Sequence, residues 1–342
     1  MSSESTDPVP HSDNSERLRQ RYQAGDRQFC DLHLPGADFS QAALSQINFS
    51  RAQLTAADFS QALLIRAQFL AAQLGRASLA GAVAVEAVFA QADLAAADLT
   101  AADLSGAQMT AANLAGACLQ GCEAIASSWL GADLSGAQLQ GANLSSATLT
   151  QAQLTAADLT GARLVRAIAS RAQFQQAVLS QAVLIRAHLS HADLSGACLS
   201  QANLSFADLR QANLTAANLA GANLEGVNLS QAQLTGANLR GANLRGADLS
   251  KAQLEHADLA AADLTGANLL SANLHGATLA RANLAQAGLL LAQVAGADFS
   301  QANLTATNLL GANLSHARLR GVSLEAAILP AFQPHYREQC GG

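Results

Sequence analysis

The chain has 342 residues, a net charge of −6 at pH 7 and only 4% aromatic residues. That charge argues against indiscriminate nucleic-acid binding, which gains its strength by neutralising phosphates with Lys and Arg. No stretch is long and apolar enough to span a membrane, no secretory signal opens the sequence, and five cysteines make no disulfide framework, so a reducing cytoplasm is the expected compartment.

Residues 1–14 are polar, contain Pro8 and Pro10, and predict a disordered tail. Residues 15–31 predict an N-terminal cap and entry. Ser15 is placed to cap a short helix over Glu16 to Ala24, and Gly25 to stop it. Leu18, Tyr22 and Phe29 would lay an apolar face over the start of the segment that begins at residue 32.

From Leu34 to Leu329 a large apolar position recurs at every fifth residue, as in Leu214, Leu219, Leu224 and Leu229. Two residues earlier stands a small one, such as Ala212, Ala217, Ala222 or Val227, with Asn, Asp or Gln between the two. A step of five does not suit a helix, because five residues turn roughly 140° and the leucines would spiral around it. The spacing of two between Ala and Leu suits a strand, whose alternate residues share a face. Both then point inward, the amide or carboxylate points outward, and the remaining two residues make a corner. Longer echoes set the number of sides. Phe39 and Phe59 lie twenty apart, as do Phe49, Phe69 and Phe89, and Asn203, Asn223 and Asn243. Four sides per coil fit these offsets, and about fifteen coils at strand spacing would extend on the order of 70 Å.

Departures from the pattern are local. Ala84, Ala124 and Ala169 replace the large inward residue, and Ile47, Cys122, Ser127, Val227, Thr307 and Val322 the small one. Trp129 follows Ala124 closely and is expected to fill the space released there or to bulge the wall. Pro330 breaks the register. Repeats are thus expected over 32–331, with 332–342 as a C-terminal cap and loose tail in which Phe332, Pro334 and Tyr336 fold over the last coil.

Through this repeated unit the chain resembles the pentapeptide-repeat family over about residues 32–331, and its short helix ahead of the repeats is similar to that of many cyanobacterial members. The resemblance implies an all-β fold: a right-handed quadrilateral parallel β-helix, a solenoid with a short N-terminal capping helix. Stability in such repeats comes from neighbour upon neighbour.

Function is then expected on the outer sides, numbered here from the one holding Leu34. The third side carries Leu63, Ile65, Val83, Val85, Ile125, Val165, Val183 and Ile185 in outward slots, with Arg66, Arg163, Arg166 and Arg186 on it or at its corner. Apolar residues flanked by arginine have the composition of a protein-binding surface. Arg51, Arg171, His188, His191 and Arg210 extend the positive character onto the fourth side. Further along, that side carries Leu270, Leu290 and Leu310, with Leu291 at the corner, and this stripe predicts self-association as a homodimer. The second side holds Asp38, Asp58, Asp98, Asp158, Asp258 and Asp298. Some members of the resembled family mimic duplex DNA and bind DNA gyrase, so this acidic side gives an alternative reading as a binder or inhibitor of a type II topoisomerase.

No catalytic constellation is present. His188 and His191 share a pentapeptide without a third ligand, and His256, His275 and His316 lie near the first side without a completing Cys or carboxylate set. The glycines fall at corners and form no phosphate loop. The expectation is a non-enzymatic protein–protein interaction scaffold with a protein partner, without metal or cofactor, and without direct contact to nucleic acid or membrane.

Overall fold

The computed structural model describes residues 11–330. The predicted tail residues 1–10 and the predicted C-terminal cap from residue 331 onward, with Phe332, Pro334, Tyr336 and Cys340, lie outside the described residues. The chain divides into two compact units, Met1–Thr148 and Leu149–Gly342.

Helix α1 spans His11–Gln23, starting earlier than the expected Glu16. The polar run after Pro10 contains no breaker, so the helix takes in residues 11–14 that composition alone assigned to the tail. It stops where expected. Gly25 adopts φ 100°, the Asp26 N–H donates to the Arg21 carbonyl and the Gly25 N–H to the Tyr22 carbonyl, which together satisfy carbonyls of the last turn. Leu18 and Phe29 are buried, and the Tyr22 hydroxyl donates to the Ser45 carbonyl at 2.8 Å.

Each unit is a parallel β-helix in which residue i pairs with residue i+20, as in Asp38↔Asp58 and Leu63↔Val83 of the first unit and Asn203↔Asn223 of the second. Four pentapeptides therefore complete one turn. The pentapeptide Ala212–Ala216 shows why its residues take these places. The Ala212 N–H closes the preceding corner on the Leu209 carbonyl. The Asn213 N–H bonds back to Ala192, while those of Leu214 and Ala216 bond forward to Gln233 and Thr235. Only the Thr215 N–H has no backbone acceptor, and the Asn213 side-chain oxygen accepts it at 3.1 Å. A short Asn or Asp at the outward position thus completes the hydrogen bonding of its own corner, a role that Gln is too long to fill.

The last residue of every pentapeptide from Asp31 to Ala326 has a positive φ, between 53° and 71°. This is the third position of a turn that favours glycine, yet many corners hold Gln, Arg or Ala. Their left-handed conformation is held by the hydrogen-bond ladder to the neighbouring coils, not by local preference.

The core is one leucine and one alanine per side, with aromatic stacks in the first unit. Phe39 and Phe59 stack at 5.0 Å between centroids and Phe69 and Phe89 at 4.9 Å, in the columns that the twenty-residue echoes predict. Trp129 is fully buried and its backbone keeps the ladder, with its N–H on the Thr148 carbonyl at 2.7 Å. It fills the interior and makes no bulge. Its indole N–H donates to the Ser127 hydroxyl at 2.6 Å, which explains a serine in an inward slot. Thr307, also inward, donates its hydroxyl to the Leu284 carbonyl at 2.8 Å.

Candidate functional site

In the first unit Leu63 and Ile65 are exposed, and Val83 and Val85 on the adjacent coil are half-buried beneath the same surface. Ile125 is exposed two coils further on, separated from them by Asp103 and Ser105. Leu70 and Leu130 are exposed on the fourth side. The expected positive charge is weaker here. Arg66 pairs with Glu86 at 2.6 Å and Arg51 with Asp31 at 2.7 Å, each twenty residues away, so both side chains are neutralised by the neighbouring coil.

In the second unit Arg163 and Val183 pair across adjacent coils, and Val165 and Ile185 lie half-buried beside them. Ile168 is 43% exposed on the fourth side and Phe206 55% exposed at the intervening corner. Neither was among the expected residues. Arg163, Arg166, Arg171 and Arg186 make no ion pair among the described residues, whereas Arg210 pairs with Asp208 at 2.7 Å and drops out of the positive surface. Arg210 holds the Asp208 carboxyl below the usual carboxylate range, helped by the backbone N–H of Arg210 and the charge of His188.

The apolar slots, like those that hold Gln, forgo the turn acceptor. Arg163 and Val183 stand where Asn or Asp elsewhere accepts the N–H two residues on. The Val165 and Ile185 N–H groups consequently lack the side-chain acceptor that Thr215 has. Each such bond is typically worth about 0.5–1.5 kcal/mol.

The acidic side is occupied by the same turn chemistry. Asp38, Asp58, Asp98, Asp158, Asp258 and Asp298 each accept the N–H of the residue two positions on, at 2.8–2.9 Å. The hydroxyl and N–H of Ser40, with Arg19 beyond, lower the Asp38 carboxyl, and Ser300 does the same for Asp298 with help from Arg318. The asparagines of the third side form a side-chain ladder. Asn243 donates to Asn223 at 3.0 Å, Asn283 to Asp263 at 3.2 Å and Asn303 to Asn283 at 3.0 Å.

Leu270, Leu290 and Leu310 stand in register on successive coils, with the Ser271 N–H on the Leu290 carbonyl and the Leu291 N–H on the Leu310 carbonyl. Leu291, Leu310 and Ile328 are exposed, while Leu270 and Leu290 are half-buried.

His256 and His275 are neighbours, with ring centroids 5.9 Å apart, and His188 pairs across coils with Asp208. Among the described residues no three His, Cys, Asp or Glu side chains come together as a metal site. Cys30, Cys118, Cys122 and Cys198 are free thiols, and burial pushes that of Cys122 up to about 12. No helix of the described residues is long and apolar enough to cross a membrane.

The family described as pentapeptide repeats matches in eight copies, covering residues 33–69, 72–110, 87–123, 131–168, 170–205, 207–246, 247–286 and 292–329. No curated protein is significantly similar to the chain. Among solved structures, similarity extends to HetL, a pentapeptide repeat protein involved in heterocyst differentiation regulation from the cyanobacterium Nostoc sp. strain PCC 7120. The two are 35% identical over 64% of this chain and 91% of that one, with a TM-score of 0.27. Rfr23 from the cyanobacterium Cyanothece 51142 is 34% identical over 30% of this chain and 63% of its own, with a TM-score of 0.17. QnrB1, a plasmid-mediated fluoroquinolone resistance protein, is 19% identical over 66% of this chain and 91% of its own, with a TM-score of 0.29.

Proposed function

Because the chain belongs to the pentapeptide-repeat family, we propose that it works as a non-enzymatic interaction scaffold that presents the third side of its second unit to a protein partner. The observation that carries this reading is the patch around Val165, Val183 and Ile185. Apolar side chains there take the place of turn-completing amides and lie beside arginines that no carboxylate of the described residues neutralises. Preformed strands lose little conformational freedom on binding, so modest apolar contact suffices for affinity. The acidic-side reading, with DNA gyrase as partner, ranks behind it, since Arg19, Arg240 and Arg318 stand beside Asp38, Asp258 and Asp298 and offset part of that side's charge.

The test is affinity capture from native host lysate with intact protein and with the Val165→Asp, Ile185→Asp double variant as baits, read by mass spectrometry. A protein held by the first and lost by the second is the expected result. Identical captures would overturn the assignment of this side.

The exposed Leu291, Leu310 and Ile328 support a second contact, with another copy of the chain. Leu290→Asp is then expected to convert a dimer to monomer in sedimentation velocity. A monomeric intact protein, or a dimer that survives the substitution, contradicts this contact.

A further inference from the structure

Residues 159–192 contain four arginines, two histidines and no Asp or Glu, a run of +4 in a chain whose net charge is −6. The structure turns this run into a surface. Arg166 and Arg186 are corner residues twenty apart on adjacent coils, and Arg171 lies at the next corner around. Two corner arginines of the first unit are neutralised by an acid on an adjacent coil, whereas Arg76 and Arg281 make no ion pair among the described residues. Arg66 finds Glu86 one coil on, and Arg51 finds Asp31 one coil back. At the place one coil beyond Arg186, in register with it, stands Phe206 instead of an acid.

The Phe206 ring is held in place. A methyl group at Gly226, one coil further on, would meet the ring at 2.6 Å, so the ring lies against the glycine backbone. The Arg186 guanidinium carbon is 6.0 Å from the ring centroid on its other flank, within cation–π range. A large aromatic side chain, 55% exposed, therefore rests on the backbone beside an arginine that makes no ion pair among the described residues. Aromatic anchors and arginines of this kind dominate binding energy at protein interfaces.

We propose that the partner segment bound by this surface is acidic and apolar, that it crosses the corner between the third and fourth sides of the second unit, and that Phe206 is its apolar anchor. The proposal rests on the scaffold reading and names the partner's chemistry. Charge complementarity selects the acid, because an incoming carboxylate supplies to Arg166 and Arg186 the pairing that Arg66 and Arg51 find on adjacent coils. The apolar neighbours Ile168 and Ile185 select a protein segment over a nucleic acid, whose contacts would be mainly to phosphate.

The experiment is selection of a phage-displayed library of random dodecapeptides on intact protein, on the Arg166→Glu, Arg186→Glu double variant and on Phe206→Ala. Glu86 and many alanines already occupy equivalent corner positions, so each variant is compatible with the fold. Peptides enriched on the intact protein are expected to be rich in Asp or Glu together with large apolar residues. Their affinity, measured by fluorescence anisotropy, is expected to fall at least about tenfold on Phe206→Ala and to be lost on the arginine variant. Enrichment without acidic bias, or acidic peptides that bind the arginine variant equally well, overturns the proposal, as does the absence of any enrichment. So does a labelled single-stranded oligonucleotide that binds as tightly as the selected peptides, or self-association that the arginine variant abolishes. A lysate partner lost with Val165→Asp, Ile185→Asp but retained by both the arginine variant and Phe206→Ala would refute this inference and leave the scaffold reading intact.

Discussion

Trp129→Ala is expected to lower stability by about 3–5 kcal/mol, the range for truncating a large buried aromatic side chain. Trp129 is the largest fully buried side chain of the described residues and sits against Ser127. Removing it opens a cavity in the interior and leaves the Ser127 hydroxyl without its indole donor. Because each coil leans only on its neighbours, the damage should be local at first. Limited proteolysis is expected to cut the variant within about the last thirty residues of the first unit, which ends at Thr148, before any other part of that unit, alongside a lower melting temperature. Trp129→Phe, which keeps most of the volume and loses only the hydrogen bond, is expected to fall in between. An alanine variant as stable and protease-resistant as the parent would mean that this interior is not close-packed.

Two prolines placed in one pentapeptide should have opposite effects. The Gln293 N–H donates to the Ala272 carbonyl at 2.9 Å, and the same residue pairs with its counterpart on the adjacent coil. Gln293→Pro removes that bond and pushes a ring toward the facing carbonyl, at a cost of about 3 kcal/mol or more. Ala295 occupies the second place of the turn closed by the Ala297 N–H on the Val294 carbonyl, followed by Gly296 at φ 70°. That is the place proline prefers, and Pro35 already occupies it ahead of Gly36 at φ 66°. Ala295→Pro is therefore expected to be neutral, or stabilising by about 0.4–1 kcal/mol through a restricted unfolded chain. Melting temperatures of the two variants check this. If both fall equally, the hydrogen-bond assignment within the pentapeptide is wrong.

The architecture was legible because inward and outward positions alternate within a five-residue unit that never loses phase. Leucine and alanine at a spacing of two require a strand, and aromatic residues at a spacing of twenty report the length of a turn directly, as the Phe69–Phe89 stack shows. The helix start was not legible, since His11 to Ser15 have neither apolar spacing nor a breaker to mark it.

The surface was legible in part. Val165, Val183 and Ile185 stood out in slots that otherwise hold polar residues. Phe206 did not, because its exposure at a corner depends on what lies twenty residues later. A bulky corner residue followed at that distance by glycine is the missing signal, and His256 over Gly276 and Leu291 over Gly311 share it with Phe206 over Gly226. The neutralisation of Arg66 and Arg51 was open to the same twenty-residue comparison, which reveals Glu86 and Asp31 as their partners. Arg210 was harder, since its carboxylate lies two residues back in its own pentapeptide.

The most direct test of which side binds is an affinity measurement on the lysate partner by biolayer interferometry, with three immobilised proteins: the intact chain, Val165→Asp, Ile185→Asp, and the second-side variant Asp38→Asn, Asp58→Asn, Asp98→Asn. Asparagine keeps the turn acceptor at each of those three positions and removes only charge. The expected result is loss of binding on the first variant and unchanged affinity on the second. Loss on the acidic-side variant, with binding preserved on Val165→Asp, Ile185→Asp, would contradict the assignment of the third side and move function to the carboxylates.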